Sequence, residues 1–247
     1  MVELFNERRF KMLEIKNISK TYRKSNVKAI DNVSLTIEEG DIFGFIGPNG
    51  SGKSTTIKCI TGIHSYDEGE IIFDGISIKD KPLLAKQKMA YVPDNPDVYE
   101  TLTGIDYINF VCDVYGVNEE RKELIDKYAD MFHIKEQLVN QIKSYSHGMK
   151  QKVVLIAALA HKPKLLILDE PFVGLDPKAS FDLKEVMKEI CANGTMIFFS
   201  SHVLEVVEKL CNKIAIIKEG KIIAAGNTED VKGNTSLENV FLELFDE

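Results

Sequence analysis

Gly47-Pro48-Asn49-Gly50-Ser51-Gly52-Lys53-Ser54 satisfies the pattern G-x-x-x-x-G-K-[ST]. Glycines in such a loop let the backbone wrap closely around phosphate oxygens and turn successive N–H groups inward. A helix opening near Lys53 adds the positive end of its dipole. Lys53 can reach β- and γ-phosphates, the Ser54 hydroxyl can ligate magnesium, and Thr55 completes the nucleotide-binding set. The bland alternative is a glycine-rich turn that merely matches. An apolar run, Ile42 to Ile46, precedes the loop and a helical stretch follows it, which is the context the chemistry requires.

A second group can do chemistry with the first. Leu165 to Leu168 is a continuous apolar run that delivers Asp169 and Glu170 to its end. In an open parallel sheet the ligand crevice lies beyond the carboxyl ends of the strands. Asp169 is then placed to hold magnesium, and Glu170, facing differently, to polarise an attacking water as a general base. An acidic pair capping a helix before Pro171 is the alternative; the upstream phosphate loop weighs against it.

The elements that must position these groups alternate between short β-rich runs and helical stretches, so the fold class is α/β with a largely parallel sheet. Strands are expected at 12–18, 33–37, 42–46, 70–73, 89–92, 165–168, 195–199, 213–217 and 221–224, with a helix from Lys53 to about Thr61. Between Thr101 and His161 proline is absent and apolar residues recur at helical spacing (Ile105, Ile108, Phe110 and Val111, then Leu124, Tyr128 and Met131), which predicts a mostly helical insertion. Leu237 to Phe245 reads as one amphipathic helix, and residues 1–11 as an extension.

Composition sets the outer bounds. The 247 residues include 31 Lys and Arg against 38 Asp and Glu, a net charge of −7 that argues against nucleic acid as main partner. Hydrophobic residues make up 44%, enough for a substantial core and against disorder. The longest apolar run, Val153 to Ala160, is far below the roughly 20 residues that span a bilayer. Cys59, Cys112, Cys191 and Cys211 form no C-x-x-C pair, so reduced thiols are expected rather than a zinc site. Arg8 and Arg9 faintly echo a twin-arginine export signal, but Lys11, Glu14 and Lys16 interrupt the apolar stretch such a signal needs.

A small GTPase would carry N-K-x-D; the nearest string, Asn212-Lys213-Ile214-Ala215, lacks the aspartate. Present instead is Tyr145-Ser146-His147-Gly148-Met149-Lys150-Gln151, about 20 residues before Asp169. Ser146 precedes an apolar-periodic helix and reads as its N-cap; a hydroxyl and free N–H groups at a helix start make an anion site. With these motifs in this order, the chain from Met12 onward resembles the nucleotide-binding subunit of an ATP-binding-cassette (ABC) transporter, of the bacterial export type. Ser146-His147-Gly148-Met149 is similar to the signature loop L-S-G-G-Q, departing at Tyr145, His147 and Met149.

The resemblance implies a P-loop NTPase core with a mainly parallel sheet, an antiparallel β subdomain and an inserted helical subdomain: core 12–94 and 162–231, insertion 95–161, C-terminal helix 232–247. It implies that the signature loop binds the γ-phosphate held by a second subunit, sandwiching two ATP in a head-to-tail dimer. Tyr22, 25 residues before Gly47, resembles the aromatic that stacks on adenine. Gly174-Leu175-Asp176 resembles the D-loop, with Asp176 at the opposite subunit's site, and His202 the switch histidine. Where the family has a magnesium-ligating Gln, this chain has Asp94, which keeps an oxygen ligand but adds charge; a solvent-facing loop residue is the alternative.

The function implied is an ATP hydrolase, using ATP and magnesium, that drives separate integral membrane permease subunits from the cytoplasmic face of the cell membrane. A groove near Asp94 to Thr103 is expected to receive a cytoplasmic helix of the permease, with Tyr99, Leu102 and Tyr107 readable either as contacts or as core. The 45 residues after His202 are too few for the extra domain of sugar importers, which favours export. The competing class is a soluble ABC ATPase. DNA-repair members carry long coiled coils and translation members two cassettes, neither of which fits; an iron–sulfur assembly ATPase is similar in size and motifs.

Overall fold

Turn residues punctuate this chain at short intervals, and the elements between them are correspondingly short. The computed structural model describes residues 12–23 and 25–245; the extension with Arg8 and Arg9 lies outside the described residues. In chain order come β1 (Met12–Thr21), β2 (Lys28–Glu38), β3 (Ile42–Ile46), α1 (Lys53–Ile60), β4 (Glu68–Phe73), β5 (Ile76–Ser77), α2 (Pro82–Lys86) and β6 (Met89–Val92). Then follow α3 (Gly104–Tyr115), α4 (Arg121–Met131), two 3-10 turns, α5 (His147–Ala160), β7 (Leu165–Asp169), α6 (Pro177–Ala192) and β8 (Met196–Ser201). The remainder is α7 (Leu204–Leu210), β9 (Lys213–Lys218), β10 (Lys221–Asn227), α8 (Thr228–Lys232) and α9 (Leu237–Phe245).

The strands form two sheets. One has the order β2-β1-β4-β5 and is antiparallel throughout; the other has the order β10-β9-β3-β8-β7-β6. In the second, β6, β7, β8, β3 and β9 run parallel, and only β10 reverses, pairing antiparallel with β9. The order of the parallel strands creates the switch point at which such sheets bind ligands.

The central strands are buried on both faces, as continuous apolar runs require. Leu166 and Leu168 of β7 pack with the helices that follow β6, in a core that includes Ile108, Ile125, Phe132, Leu155 and Phe199. Leu165 and Ile167 point the other way, into a core with Ile57, Phe45, Phe198 and the apolar residues of β1 and β4. Burying each Leu, Ile or Phe contributes roughly 1.5–3 kcal/mol, so the two cores clamp β3, β7 and β8 in place.

Helix ends follow local chemistry. The Thr103 side chain accepts from the Asp106 N–H at 3.2 Å to start α3, and Gly116 in the left-handed region ends it. One expectation shifts in phase: Ile108 and Cys112 face the core, whereas Phe110 stays exposed and meets Tyr99 edge-on, ring centroids 5.8 Å apart. The 3.6-residue repeat turns Phe110 away from Ile108 and Cys112. The insertion is also less continuously helical than its periodicity predicts, with 3-10 turns at Lys135–Val139 and Ile142–Ser144. Strand β2 begins five residues earlier than expected, at Lys28.

Candidate nucleotide site

The parallel register aligns the carboxyl ends of three strands: Ile46 of β3 stands beside Ser201 of β8, and Asp169 of β7 beside Ser200. Whatever follows Ile46, Asp169 and Ser201 therefore shares one crevice. The phosphate loop follows the first, Glu170 the second and His202 the third.

Gly52 is the N-cap of α1 with φ of 111°, and a Cβ there would lie 2.6 Å from the Ala29 carbonyl oxygen, so only glycine turns the chain into this helix. Pro48, Asn49 and Gly50 are exposed at the rim, with Gly47 buried beneath them. Lys53 is buried and donates to the carbonyls of Gly47 (2.6 Å) and Pro48 (3.2 Å). Burial pushes its ammonium below the usual lysine range, against the opposing pull of Glu170 and Asp169. The Ser51 hydroxyl is buried without a hydrogen-bond partner, an orphan that an incoming phosphate oxygen or its water would satisfy. Ser54 is exposed on the first turn of α1, and Thr55 Oγ1 lies 3.2 Å from the Tyr22 hydroxyl. Tyr22 is thus brought against the loop's helix, 39% exposed, with His64 packed edge-on against its ring.

The carboxylates take opposite directions. Asp169 is buried and its Oδ1 accepts from the Ser200 hydroxyl at 2.5 Å. Glu170 has a positive φ of 49° and turns outward: Oε2 lies 2.9 Å from His202 Nδ1, and Oε1 lies 3.9 Å from Lys53 Nζ. Among the described residues, no three His, Cys, Asp or Glu side chains converge as a metal cluster. A magnesium ion that arrives with phosphates keeps several waters and takes only one or two carboxylates from a protein. The available donors are all hard oxygens: Ser54, Asp169 and Asp94. Asp94 is exposed in the loop after β6, and with Asp169 it raises the Tyr91 phenol, whose burial is the larger cause.

The second half of the motif set lies at the start of α5. The Ser146 side chain caps this helix by accepting from the Met149 N–H at 3.3 Å. His147 is exposed, and Gly148 and Met149 are half-buried. Tyr145 is buried and its hydroxyl donates to the Gln137 carbonyl at 2.5 Å, which anchors the loop where an aliphatic residue could make no such bond. The loop packs on the segment before α6: a Cβ on Gly174 would come within 2.6 Å of His147 Cδ2. Gln151 Nε2 donates to the Pro171 carbonyl at 2.9 Å, and Lys152 pairs with Asp176 at 2.9 Å. Asp176 also caps α6 by accepting from the Ala179 N–H at 2.8 Å; that bond first, then Lys152, holds its carboxyl below the usual range.

The structure therefore brings the phosphate loop, Tyr22, Asp169, Glu170 and His202 to one crevice. It brings the Ser146 to Met149 loop and Asp176 together as a separate surface. Sequence reasoning missed Ser200. Its signal was available: Ser200-Ser201 interrupts an apolar strand just before His202, where a buried polar pair needs partners.

A family model described as ABC transporter matches residues 30–173. The chain is 38% identical over 221 residues to the linearmycin resistance ATP-binding protein LnrL of Bacillus subtilis (strain 168), covering 89% of this chain and 70% of the relative. It is 36% identical over 230 residues to the lantibiotic transport ATP-binding protein SrtF of Streptococcus pyogenes, covering 93% and 96%. A solved ATP-binding subunit of an ABC transporter superimposes with a TM-score of 0.90 at 33% identity, over 94% of this chain and 99% of that one.

Proposed function

The chain belongs to the ABC transporter family, as an ATP-binding subunit with the ATPase fold, and from that premise we propose that it is the ATP-hydrolysing motor of an exporter. One observation carries the catalytic part. Glu170 is suspended between Lys53 and His202, one oxygen 3.9 Å from the phosphate-loop lysine and the other 2.9 Å from the imidazole.

In this reading the phosphate loop from Gly47 to Thr55 receives the phosphates of ATP and Tyr22 its adenine. Lys53 exchanges the carbonyls of Gly47 and Pro48 for phosphate oxygens. The charge it gains as partner offsets the burial that lowers its pKa. Glu170 takes a proton from the attacking water, whose oxygen bonds to the γ-phosphorus as the bond to ADP breaks. His202 holds the Glu170 carboxylate and faces the γ-phosphate. Magnesium would be held by Ser54 and Asp169, with Asp94 beside them, and would neutralise charge on the β- and γ-phosphates.

Two copies would close head to tail around two ATP, with Ser146, His147, Gly148, Met149 and Asp176 of each facing the other's nucleotide. Differential contact to the γ-phosphate then drives closing and reopening. The same reading divides the chain into core 12–94 and 162–231, insertion 95–161 and a C-terminal segment from 232 onward; within it the helix is α9, Leu237–Phe245, rather than the whole segment. The permease would dock at Tyr99, which is 61% exposed and backed by Phe110; Tyr107 packs against the core instead. No helix among the described residues is long and apolar enough to cross a membrane; in this reading separate permease subunits supply the spans and this subunit works at their cytoplasmic face. The relatives named for lantibiotic transport and linearmycin resistance support export. The test is ATPase activity of the purified chain and the identity of the protein that co-purifies from membranes. A permease supports the reading; a soluble iron–sulfur assembly partner would replace it.

A further inference from the structure

Ser200 belongs to none of the motifs, yet it bonds to both acidic residues of the site, Asp169 through its carboxylate and Glu170 through its backbone N–H. It is fully buried near the end of β8, directly opposite Asp169 in the parallel register. Its hydroxyl donates to Asp169 Oδ1 at 2.5 Å and accepts from the Glu170 N–H at 3.0 Å. A serine hydroxyl has one hydrogen and two lone pairs, so these two bonds are compatible and between them use its only proton. Both partners stand at the end of the neighbouring strand: Asp169 closes β7 and Glu170 is the residue after it.

The two bonds explain why adjacent acids point apart. The first ties down one oxygen of Asp169 and so sets the direction of the other. The second holds the N–H of Glu170, whose φ of 49° is a left-handed conformation costing roughly 1–2 kcal/mol in a residue with a Cβ. That conformation is what throws the Glu170 side chain outward, within reach of His202 and Lys53. The grip is double, because two residues after Ser200 the His202 N–H donates to Glu170 Oε2 at 3.3 Å.

We propose that Ser200 is a positioning residue for ATP hydrolysis, aiming Asp169 at the metal position and Glu170 at the water position through one hydroxyl. The proposal rests on the reading of Asp169 and Glu170 given above. Removing a residue that orients a metal ligand through a hydrogen bond typically changes activity or metal affinity by about 10–100-fold.

The experiment compares the full chain with Ser200→Ala and Ser200→Thr. Ser200→Ala lowers kcat about 10–100-fold, leaves KM for ATP within about threefold and raises the magnesium needed for half-maximal activity. Ser200→Thr, which keeps the hydroxyl, recovers kcat to within about threefold. In nucleotide-free, metal-free protein, hydrogen–deuterium exchange of the peptide containing Glu170 speeds up in Ser200→Ala and not in Ser200→Thr. The proposal is overturned if kcat of Ser200→Ala stays within about twofold of the parent, or if Ser200→Thr is as slow as Ser200→Ala. It is also overturned if Ser200→Ala loses ATP binding and melts far below the parent, which would make the role structural. A parent without ATPase activity overturns the hydrolase reading and this proposal together; failure of Ser200 alone is read only in variants of an active parent.

Discussion

Glu170 Oε2 and His202 Nδ1 stand 2.9 Å apart across the carboxyl ends of β7 and β8. The contact joins a residue whose backbone is held in the left-handed region to a histidine that is largely exposed. One side chain therefore faces solvent while the backbone of the other is fixed against the sheet.

Glu170→Gln removes the proton acceptor and keeps the shape. The amide can still meet His202, but it cannot take the water's proton. ATPase activity is expected to fall by about 10²–10⁴-fold, the usual weight of a general base. ATP binding persists, and a dimer trapped in ATP is visible by size-exclusion chromatography. A monomeric variant hydrolysing ATP at the parental rate would remove Glu170 from this role.

Lys53→Ala deletes the ammonium that now bridges the Gly47 and Pro48 carbonyls. Charge-assisted bonds of this type are worth about 1.5–3 kcal/mol, so ATP affinity should drop by about tenfold to more than a hundredfold. The apolar residues of α1 that fill the core, Ile57 and Ile60, are untouched, and the fold should survive. Calorimetry showing parental affinity would contradict the phosphate-loop assignment.

Ser146→Arg separates the two halves of the site. Ser146 is exposed and caps α5, so its loss costs about 1 kcal/mol of helix stability without touching the phosphate loop. Nucleotide binding to the monomer should remain. Closure should fail, because the bulky cation fills the surface proposed to meet the second subunit's phosphate. Gel filtration of Ser146→Arg combined with Glu170→Gln in ATP reads this directly: a dimer of normal stability would refute a role in trans.

The parts of this site visible from sequence were those where chemistry demands one residue type at fixed spacing. The glycines and Lys53, the Asp169-Glu170 pair after a buried strand, and the Ser146 cap are of that kind, and each lies within one short segment. What was not legible depends on register between strands far apart in the chain. Ser200 meets Asp169 only because β7 and β8 pair in one particular alignment. Lys152 meets Asp176 only because α5 crosses the segment before α6. The two-residue β5 and five-residue α2 escaped for a different reason: neither is long enough to show a period. Phe110 misled because a run of apolar residues longer than the buried stripe does not say which of them faces out.

His161 gives the fold a pH dependence of its own. Burial lowers its imidazole to about 4, and its Nε2 lies 2.9 Å from the Met89 carbonyl, with Tyr115 packed on the ring. The unfolded chain titrates this group near 6.5, so between pH 6.5 and about 4 the unfolded state binds the proton that the folded state refuses. The stabilisation is complete above pH 6.5 and is lost as pH falls toward 4. After allowance for the ring's partial exposure it amounts to about 1–3 kcal/mol. Urea unfolding at pH 7.5 and 5 should show a steeper acid loss in the parent than in His161→Gln, and parallel slopes would assign the acid sensitivity elsewhere.

Asp94 stands where the family resemblance implies a magnesium-ligating Gln. A carboxylate there attracts a divalent cation but repels nucleotide phosphate, and both forces act over the same few ångströms. The Tyr91 phenol is raised by burial first and then by the charges of Asp169 and Asp94. With magnesium bound, the ion is the largest local charge, so attraction dominates. Asp94→Gln should then raise the magnesium concentration needed for half-maximal ATPase activity. Without metal the sign reverses, and the same substitution should modestly tighten ATP binding by removing a negative charge. The residue is exposed, so water and salt screen both effects, and each is expected to be a few-fold rather than a hundredfold. A magnesium titration of activity and a metal-free ATP isotherm, run on both proteins, measure the two signs independently. Opposite shifts would make Asp94 part of the metal site; superimposable curves in both would leave it a turn residue facing solvent.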